Sequence, residues 1–367
     1  LVGSEMCIRD RFRRYYMNLT YHEQEKRESV LKLREILKEL PDYITTYFRG
    51  RETTTSAKTR ISYAYDIRIF FEFLVTQNPE FKCKGIKNIT LSDLESLDVL
   101  DIEEYMEYLK IYQNSSGNQV TNDLSGISRK LSSLRSLFTY LYKHKMISYN
   151  PTALVDMPKL HQKNIIQLDP DEIAILLDSM EEQNINLTPH QKSYYNKTIL
   201  RDFAIVTLLL GTGIRVSECV GIDLTDIDFR NNGVKITRKG GNETIVYFGK
   251  EVEKALLNYL EQRKQITPKP GNEQAFFLSI QKKRISIDAV ENLIKKYTKS
   301  IIPNKKITPH KLRSTYGTNL YRETGDIYLV ADVLGHADVN TTKKHYAKSD
   351  DSRRRMAASA VVLREDI

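Results

Sequence analysis

Gly211-Thr-Gly-Ile-Arg-Val-Ser-Glu218 (GTGIRVSE) is the stretch from which the rest of the chain can be read. Arg215 follows Gly213 and precedes Glu218, and alone it is an ordinary structural ion pair. Four further pieces lie downstream of it. Lys239 sits at the tip of a hairpin expected from Gly233–Arg238 and Glu243–Phe248, with alternating β-branched residues and a Gly-Gly turn. A lysine there is ordinarily a solvated turn residue. His310 and Arg313, in Thr308-Pro-His-Lys-Leu-Arg313, are one helical turn apart and share a face. His336 follows Leu334-Gly335, a pair that also serves as a plain helix C-cap. Tyr346 ends Thr341-Thr-Lys-Lys-His-Tyr346 and is one tyrosine among 22.

The chain around these pieces has 367 residues, about two domains' worth. Apolar residues make up 40%, enough for a sizeable core, and no apolar run approaches the ~20 residues that cross a bilayer. Lys and Arg number 56 against 47 Asp and Glu, a formal charge of +9. That balance favours a polyanionic partner, nucleic acid ahead of a membrane surface. Cys7, Cys83 and Cys219 make neither a disulfide framework nor a CxxC zinc pair, which points to a reducing, cytoplasmic setting.

Residues Leu1 to Arg11 lack the plan of a signal peptide and resemble a translated sequencing-adapter fragment. Phe12 to Tyr16 fit a ribosome-binding sequence and spacer ahead of a start codon. Residues 1–16 are therefore expected to be a non-native leader on a bacterial protein that begins at Met17.

Residues 17–150 read as a helical domain. Val30, Leu33, Leu37 and Leu40 recur at helical spacing before Pro41. Further helices are expected over Ser56–Val75, over Ile102–Tyr112 with Asp101 as N-cap, and over Gly126–His144. Two of their faces carry cations among small hydroxyl residues, both of which donate hydrogen bonds to phosphate. One holds Lys58, Thr59, Ser62 and Arg68; the other holds Ser128, Arg129, Lys130, Ser132, Ser133 and Arg135. Lys58, Thr59, Ser128, Arg129, Lys130, Ser132 and Arg135 are the candidate DNA-binding residues. Residues 151–168 read as an extended linker. A second, mostly helical domain spans 169–350, with Pro170 in its first helical turn and a polar loop insertion over 182–198. Residues 351–367 suit a tail helix, with an apolar stripe at Met356, Ala357, Ala360 and Val361.

In this order, GTGIRVSE, the lysine hairpin, HKLR, LGH and TTKKHY resemble the tyrosine recombinase, or phage-type integrase, family. The resemblance covers Arg51 to about Lys348. It is nearest to the Xer-like members, and the length before Arg51 with the 182–198 insertion resembles the single-recombinase Xer type of some Gram-positive bacteria. It implies a mainly α fold with a small β-hairpin or sheet: a helical core-binding domain and an α+β catalytic domain, closing as a C-shaped clamp on DNA. Tyr346 would attack a scissile phosphate, Arg215 and Arg313 would hold its non-bridging oxygens, and Lys239 would protonate the leaving 5′-oxygen. His310 would assist proton transfer, and His336 would bind the phosphate or orient its neighbours. No metal and no cofactor are implied. The implied partners are double-stranded DNA with an inverted-repeat target site, a homo-tetramer on paired sites that exchanges C-terminal helices, and an accessory protein or excisionase. The setting would be the bacterial nucleoid.

Two features depart from the family pattern. The step from His336 to Tyr346 is ten residues, where compact Xer proteins have nine, and Ser314 stands where many members have His. Two other functions remain open at this point: a DNA-binding protein of the same fold that no longer cuts, and a type IB topoisomerase-like enzyme. Recombination between two sites, against relaxation of a plasmid lacking a site, separates these.

Overall fold

The computed structural model describes residues 20–114, 117–160, 166–182, 188–238, 240–336 and 338–346; the side chains of Ser300, Thr341, Lys344, His345 and Tyr346 lie outside that description. The expected leader, Lys239 and the tail helix fall outside the described residues. The chain divides into two compact units, Leu1–Lys163 and Asn164–Ile367.

The N-terminal unit is helical because its helices start at side chains that satisfy the first free amides. Thr20 and Glu23 form a capping box for α1 (Tyr21–Leu37), and Ser56 caps α3 (Ala57–Gln77) after a short α2 (Asp42–Gly50). After the short α4 (Leu91–Glu95), α5 (Val99–Tyr108) starts at Asp98, not at the expected Asp101. Asp101 is instead the third helical residue, and its carboxylate accepts from the Asp98 amide at 2.9 Å. That helix also stops four residues before the expected end. Ile111–Gln113 (β1) pairs antiparallel with Gln119–Thr121 (β2) across an Asn-rich turn with Gly117 at φ +77°. Asp123 then caps α6 (Leu124–Lys143). The apolar faces of these helices meet at Ile67, Phe70, Phe71, Leu74, Tyr105, Leu131, Leu134 and Phe138, all essentially buried. The Phe70 and Tyr105 rings pack edge-on with centroids 5.0 Å apart.

The expected linker is not extended throughout. Pro151–Ala153 forms one 3-10 turn, and the Thr152 and Val155 carbonyls accept from the Arg135 guanidinium of α6. At its other end, the Leu168 amide donates to Thr315 Oγ1 at 2.9 Å, and Thr318 donates to Gln167 Oε1 at 2.7 Å. Each end of the stretch therefore belongs to its own unit.

In the C-terminal unit, α7 (Pro170–Glu182) begins at Pro170 as expected. The 182–198 stretch is not a loop throughout: α8 (Pro189–Thr212) begins within it, at a capping box between Thr188 and Gln191. Its first residues are polar because they face water, and its later residues Ala204, Ile205, Leu208 and Leu209 are buried. The short α9 (Val216–Gly221) follows. The sheet is antiparallel, β3 (Ile227–Asp228), β4 (Gly233–Thr237) and β5 (Glu243–Tyr247), in that order. The β4–β5 hairpin lies where the alternating residues placed it, with Val234 opposite Val246 and Lys235 opposite Ile245. Then come α10 (Lys250–Lys264), α11 (Ile287–Ile301), α12 (Pro309–Thr324), α13 (Ile327–Leu334) and α14 (Val339–Tyr346). Helix α8 is the hub: α7, α10 and α12 pack on it. No helix among the described residues is long and apolar enough to cross a membrane.

Candidate active site

Helix α8 ends on Gly213, in the left-handed region at φ +64°. A Cβ there would strike the Tyr316 ring and Leu334, so only glycine lets the chain turn against α12 and α13. The turn places Arg215 at the start of α9. Glu218, buried one turn later, accepts from the Arg215 amide at 2.7 Å and from its Nη1 at 2.8 Å. The Arg215 side chain is 34% exposed while that of Glu218 is 3% exposed, so the carboxylate holds the guanidinium from behind and leaves an edge open.

Helix α12 carries His310 and Arg313. Pro309 occupies its first turn, where a missing N–H costs nothing. Arg313 is buried and donates through Nη1 to the Gly213 carbonyl at 2.7 Å and through Nη2 to the Leu334 carbonyl. It therefore ties the end of α8 to the end of α13. His310 lies one turn away and is exposed.

Helix α13 starts at the Asp326 carboxylate, which accepts from the Tyr328 and Leu329 amides. It ends at Gly335, again left-handed at φ +62°. The His336 amide donates back to the Ala331 carbonyl at 2.9 Å, so Leu334-Gly335-His336 is a helix C-cap. The His336 ring is fixed as well, with Nδ1 2.7 Å from Oγ1 of the fully buried Thr342. Thr342 belongs to α14, whose last residue is Tyr346, one helical turn further on. One short helix thus holds the histidine and bears the tyrosine.

The structure brings Arg215, Arg313 and His336 to the C-terminal end of α13. The Arg215 Nη2 lies 3.4 Å from the Gly335 carbonyl, next to the Leu334 carbonyl taken by Arg313. The hairpin reaches the same place through Arg238, whose Nη2 donates to the Val333 carbonyl at 2.9 Å. Thr342 and Arg238 were not foreseen from the sequence. Thr342 lies inside the quoted TTKKHY stretch, and Arg238 directly precedes Lys239, but their roles depend on contacts across the fold.

The candidate DNA-binding residues fare differently. Lys130 and Ser133 are buried, which corrects the expectation that they share an outer face. Helix α6 turns them toward α3 and the β-hairpin, where Lys130 Nζ donates to Asn122 Oδ1 at 2.7 Å and burial lowers its pKa. Arg129 donates to both carboxylate oxygens of Asp66, whose side chain is only 2% exposed, and to Ser62 Oγ at 2.8 Å. Burial raises the Asp66 pKa, and Arg129 opposes that rise. Lys58 pairs with Glu25 at 2.5 Å, and Arg68 pairs with Glu39 and Glu72. Ser132 bonds back to the Ser128 carbonyl at 2.8 Å, and Ser128 and Thr59 are half-buried. Beside them a groove of about 440 Å³ gathers the candidates Ser132 and Arg135 with Arg51, Thr54, Thr139 and Lys143, which the sequence reading did not single out.

Comparison with known proteins bears on this geometry. Residues 167–353 match the phage integrase family. Tyrosine recombinase XerC of Caldanaerobacter subterraneus subsp. tengcongensis is 34% identical over 347 residues, 92% of this chain and 89% of the relative. Tyrosine recombinase XerS of Streptococcus agalactiae is 32% identical over 340 residues, 86% of this chain and 95% of the relative. The same fold occurs in the XerH site-specific recombinase bound to palindromic difH substrate, with a TM-score of 0.63, 19% identity, and 95% and 93% of the two chains covered. It also occurs in the Tn1549 transposon integrase in complex with a circular intermediate DNA, with a TM-score of 0.61, 20% identity, and 86% and 98% covered. With these matches spanning both units, the chain belongs to the phage integrase family and is an Xer-like, tyrosine-type site-specific recombinase.

Proposed function

We propose that Tyr346 is the nucleophile, and that the unit Asn164–Ile367 cuts and rejoins DNA while the unit Leu1–Lys163 helps hold the site. The observation that carries this reading is the convergence of Arg215, Arg313 and His336 on one helix end, with His336 bonded to the helix that bears Tyr346. In the forward step the Tyr346 Oη attacks the scissile phosphorus, and its proton passes to His310 or to water. The P–O5′ bond breaks, its electron pair goes to O5′, and Lys239 supplies the proton that makes the 5′-hydroxyl. Arg215 and Arg313 bind the non-bridging oxygens, where charge grows in the pentavalent transition state. Guanidinium suits this because it stays charged and donates in pairs. A phenol ionises near pH 10, well below an alkanol, so Tyr346 is accessible as phenolate and also leaves readily. The phosphotyrosyl link keeps the bond energy, so the reverse attack by another strand's 5′-hydroxyl rejoins DNA without ATP.

The same reading extends to assembly. The substrate is duplex DNA with an inverted-repeat site, acted on by a homo-tetramer on paired sites in the bacterial cytoplasm, at the nucleoid. The cellular role is chromosome-dimer resolution or movement of an integrating element, with an accessory protein or excisionase where directionality is needed. Supporting contact with phosphates in the N-terminal unit are Thr59, Ser128, Ser132 and Arg135, the last two in the groove with Arg51 and Lys143.

The test is Tyr346→Phe on a nicked suicide substrate. The variant is expected to bind one site as the parent does and to form no denaturant-resistant covalent complex. A covalent adduct from the variant would assign the chemistry elsewhere. A parent protein that binds but never forms the adduct would favour a non-cutting DNA-binding role, and relaxation of plasmid lacking a site would favour the topoisomerase-like one.

A further inference from the structure

Three successive carbonyls at the end of α13 each face a different guanidinium. Val333 accepts from Arg238 at 2.9 Å, Leu334 accepts from Arg313, and Gly335 lies 3.4 Å from Arg215. A helix C-terminus is where such donors are expected. Its last carbonyls have no intrahelical partner, and the helix dipole concentrates partial negative charge there. Two of the three arginines belong to the proposed phosphate clamp. The third does not, and its position is unusual.

Arg238 acts on two structures at once. Its backbone closes the hairpin: its N–H donates to the Asn242 carbonyl at 2.8 Å, and its own carbonyl accepts from the Gly241 amide at 3.0 Å. Its side chain crosses to α13 and lies against Gly335, where a Cβ would collide with the guanidinium. Gly335 therefore serves two purposes, the left-handed turn and the space for Arg238. Lys239 is the next residue in the chain.

We infer that Arg238 is a positioning residue for the cleavage step: it clamps the root of the β4–β5 hairpin onto the end of α13, so that Lys239 is delivered to the phosphate held by Arg215 and Arg313. This rests on the reading of Lys239 as the proton donor to O5′. A hairpin tip with two glycines at positive φ is a poor platform for a proton donor unless its root is fixed. A misplacement of about 1 Å in such a donor costs on the order of 10²-fold in rate.

The experiment compares two suicide substrates, one with the ordinary bridging 5′-oxygen and one with bridging 5′-sulfur. A thiol ionises at roughly pH 8.5, so the sulfur departs without a proton donor. Arg238→Met keeps the aliphatic stem and removes the donors. It is expected to slow covalent-complex formation by roughly 10- to 100-fold on the oxygen substrate. On the sulfur substrate it should fall within about threefold of the parent, because the step it supports is bypassed. Arg238→Lys keeps one donor for the Val333 carbonyl and should recover part of the oxygen rate; it also carries the test if the methionine variant fails to fold. Equal loss on both substrates, or no loss on oxygen, overturns the inference. Lys239→Ala serves as the reference. If sulfur rescues Lys239→Ala but not Arg238→Met, the role of Arg238 alone is wrong. If sulfur rescues neither, the Lys239 assignment falls and takes this inference with it.

Discussion

Arg129 and Arg238 carry the same guanidinium into two different settings. In the N-terminal unit Arg129 ends on the buried Asp66 carboxylate, and Lys58 and Arg68 likewise end on glutamates. In the C-terminal unit Arg238 and Arg313 end on main-chain carbonyls at the close of α13. A carboxylate offsets the charge it binds, wholly where it is bidentate as at Asp66, and only in part at Arg215, where Glu218 holds one edge and leaves another open. A carbonyl dipole aims a guanidinium and leaves its formal charge in place for a phosphate. The +9 of the whole chain is therefore a poor guide to where a polyanion binds, because a net charge does not say which cations are left unpaired or on which surface they lie.

The contrast is tested hardest at the clamp. Arg215→Ala and Arg313→Ala are each expected to slow cleavage by at least ~10²-fold, the scale seen when one preorganised donor is lost. Arg313→Ala should also destabilise the fold, since two carbonyls lose a buried donor at about 1–3 kcal/mol for each group left unsatisfied. Single-turnover cleavage beside thermal unfolding separates the two effects. Near-parental cleavage by either variant would remove it from the clamp.

Arg129, held by both oxygens of a buried carboxylate, should behave in the opposite way. Arg129→Gln leaves the Asp66 carboxylate buried without its main cation, and a cost of about 1–3 kcal/mol in stability is expected, discounted because Arg129 is half exposed. The sign of its pH dependence follows from Asp66. Burial already raises that pKa above the ordinary carboxylate value, and loss of Arg129 raises it further. The folded variant then binds a proton more tightly than the unfolded chain. The stability gap to the parent should be widest near pH 7 and narrow as pH falls through the folded pKa of Asp66. Urea unfolding at about pH 7 and about pH 5 reads this out. A gap independent of pH would mean that Asp66 is not what Arg129 compensates.

The smallest effect sharpens the comparison within the N-terminal unit. Lys143→Gln and Arg135→Gln, in the groove, should each flatten the slope of log K against log salt by roughly 0.9 if each meets one phosphate. Lys130→Gln should leave the slope unchanged, because its amine is buried against Asn122. The reverse pattern would place DNA on the Lys130 side of α6 and not at the groove.

Much of this was legible before any fold was known. The hairpin followed from alternating β-branched residues and a Gly-Gly turn, both local signals. The helix over Ile102–Tyr112 was overextended because Tyr108 and Tyr112 keep helical spacing; their rings do meet, with centroids 5.2 Å apart, but across a helix end and a strand. The start of α8 was missed because its first turns are polar, although Thr188 and Gln191 spell a capping box. Hydrophobic periodicity is silent where a helix runs out into solvent.

The order of residues alone carried the family resemblance, and with it the expected class of chemistry, since two arginines, two histidines, a lysine and a tyrosine at those intervals are a covalent and local fact. It also determined the glycines, which left-handed turns demand wherever the chain must reverse tightly. Only the tertiary structure decided which cations are buried and which reach a groove. Lys130 and Arg135 look alike in sequence, yet one is buried beneath its helix and the other caps carbonyls at a groove. It also decided that Arg238 meets Val333 and that Thr342 holds His336, because such pairings depend on how far each helix runs and where it turns.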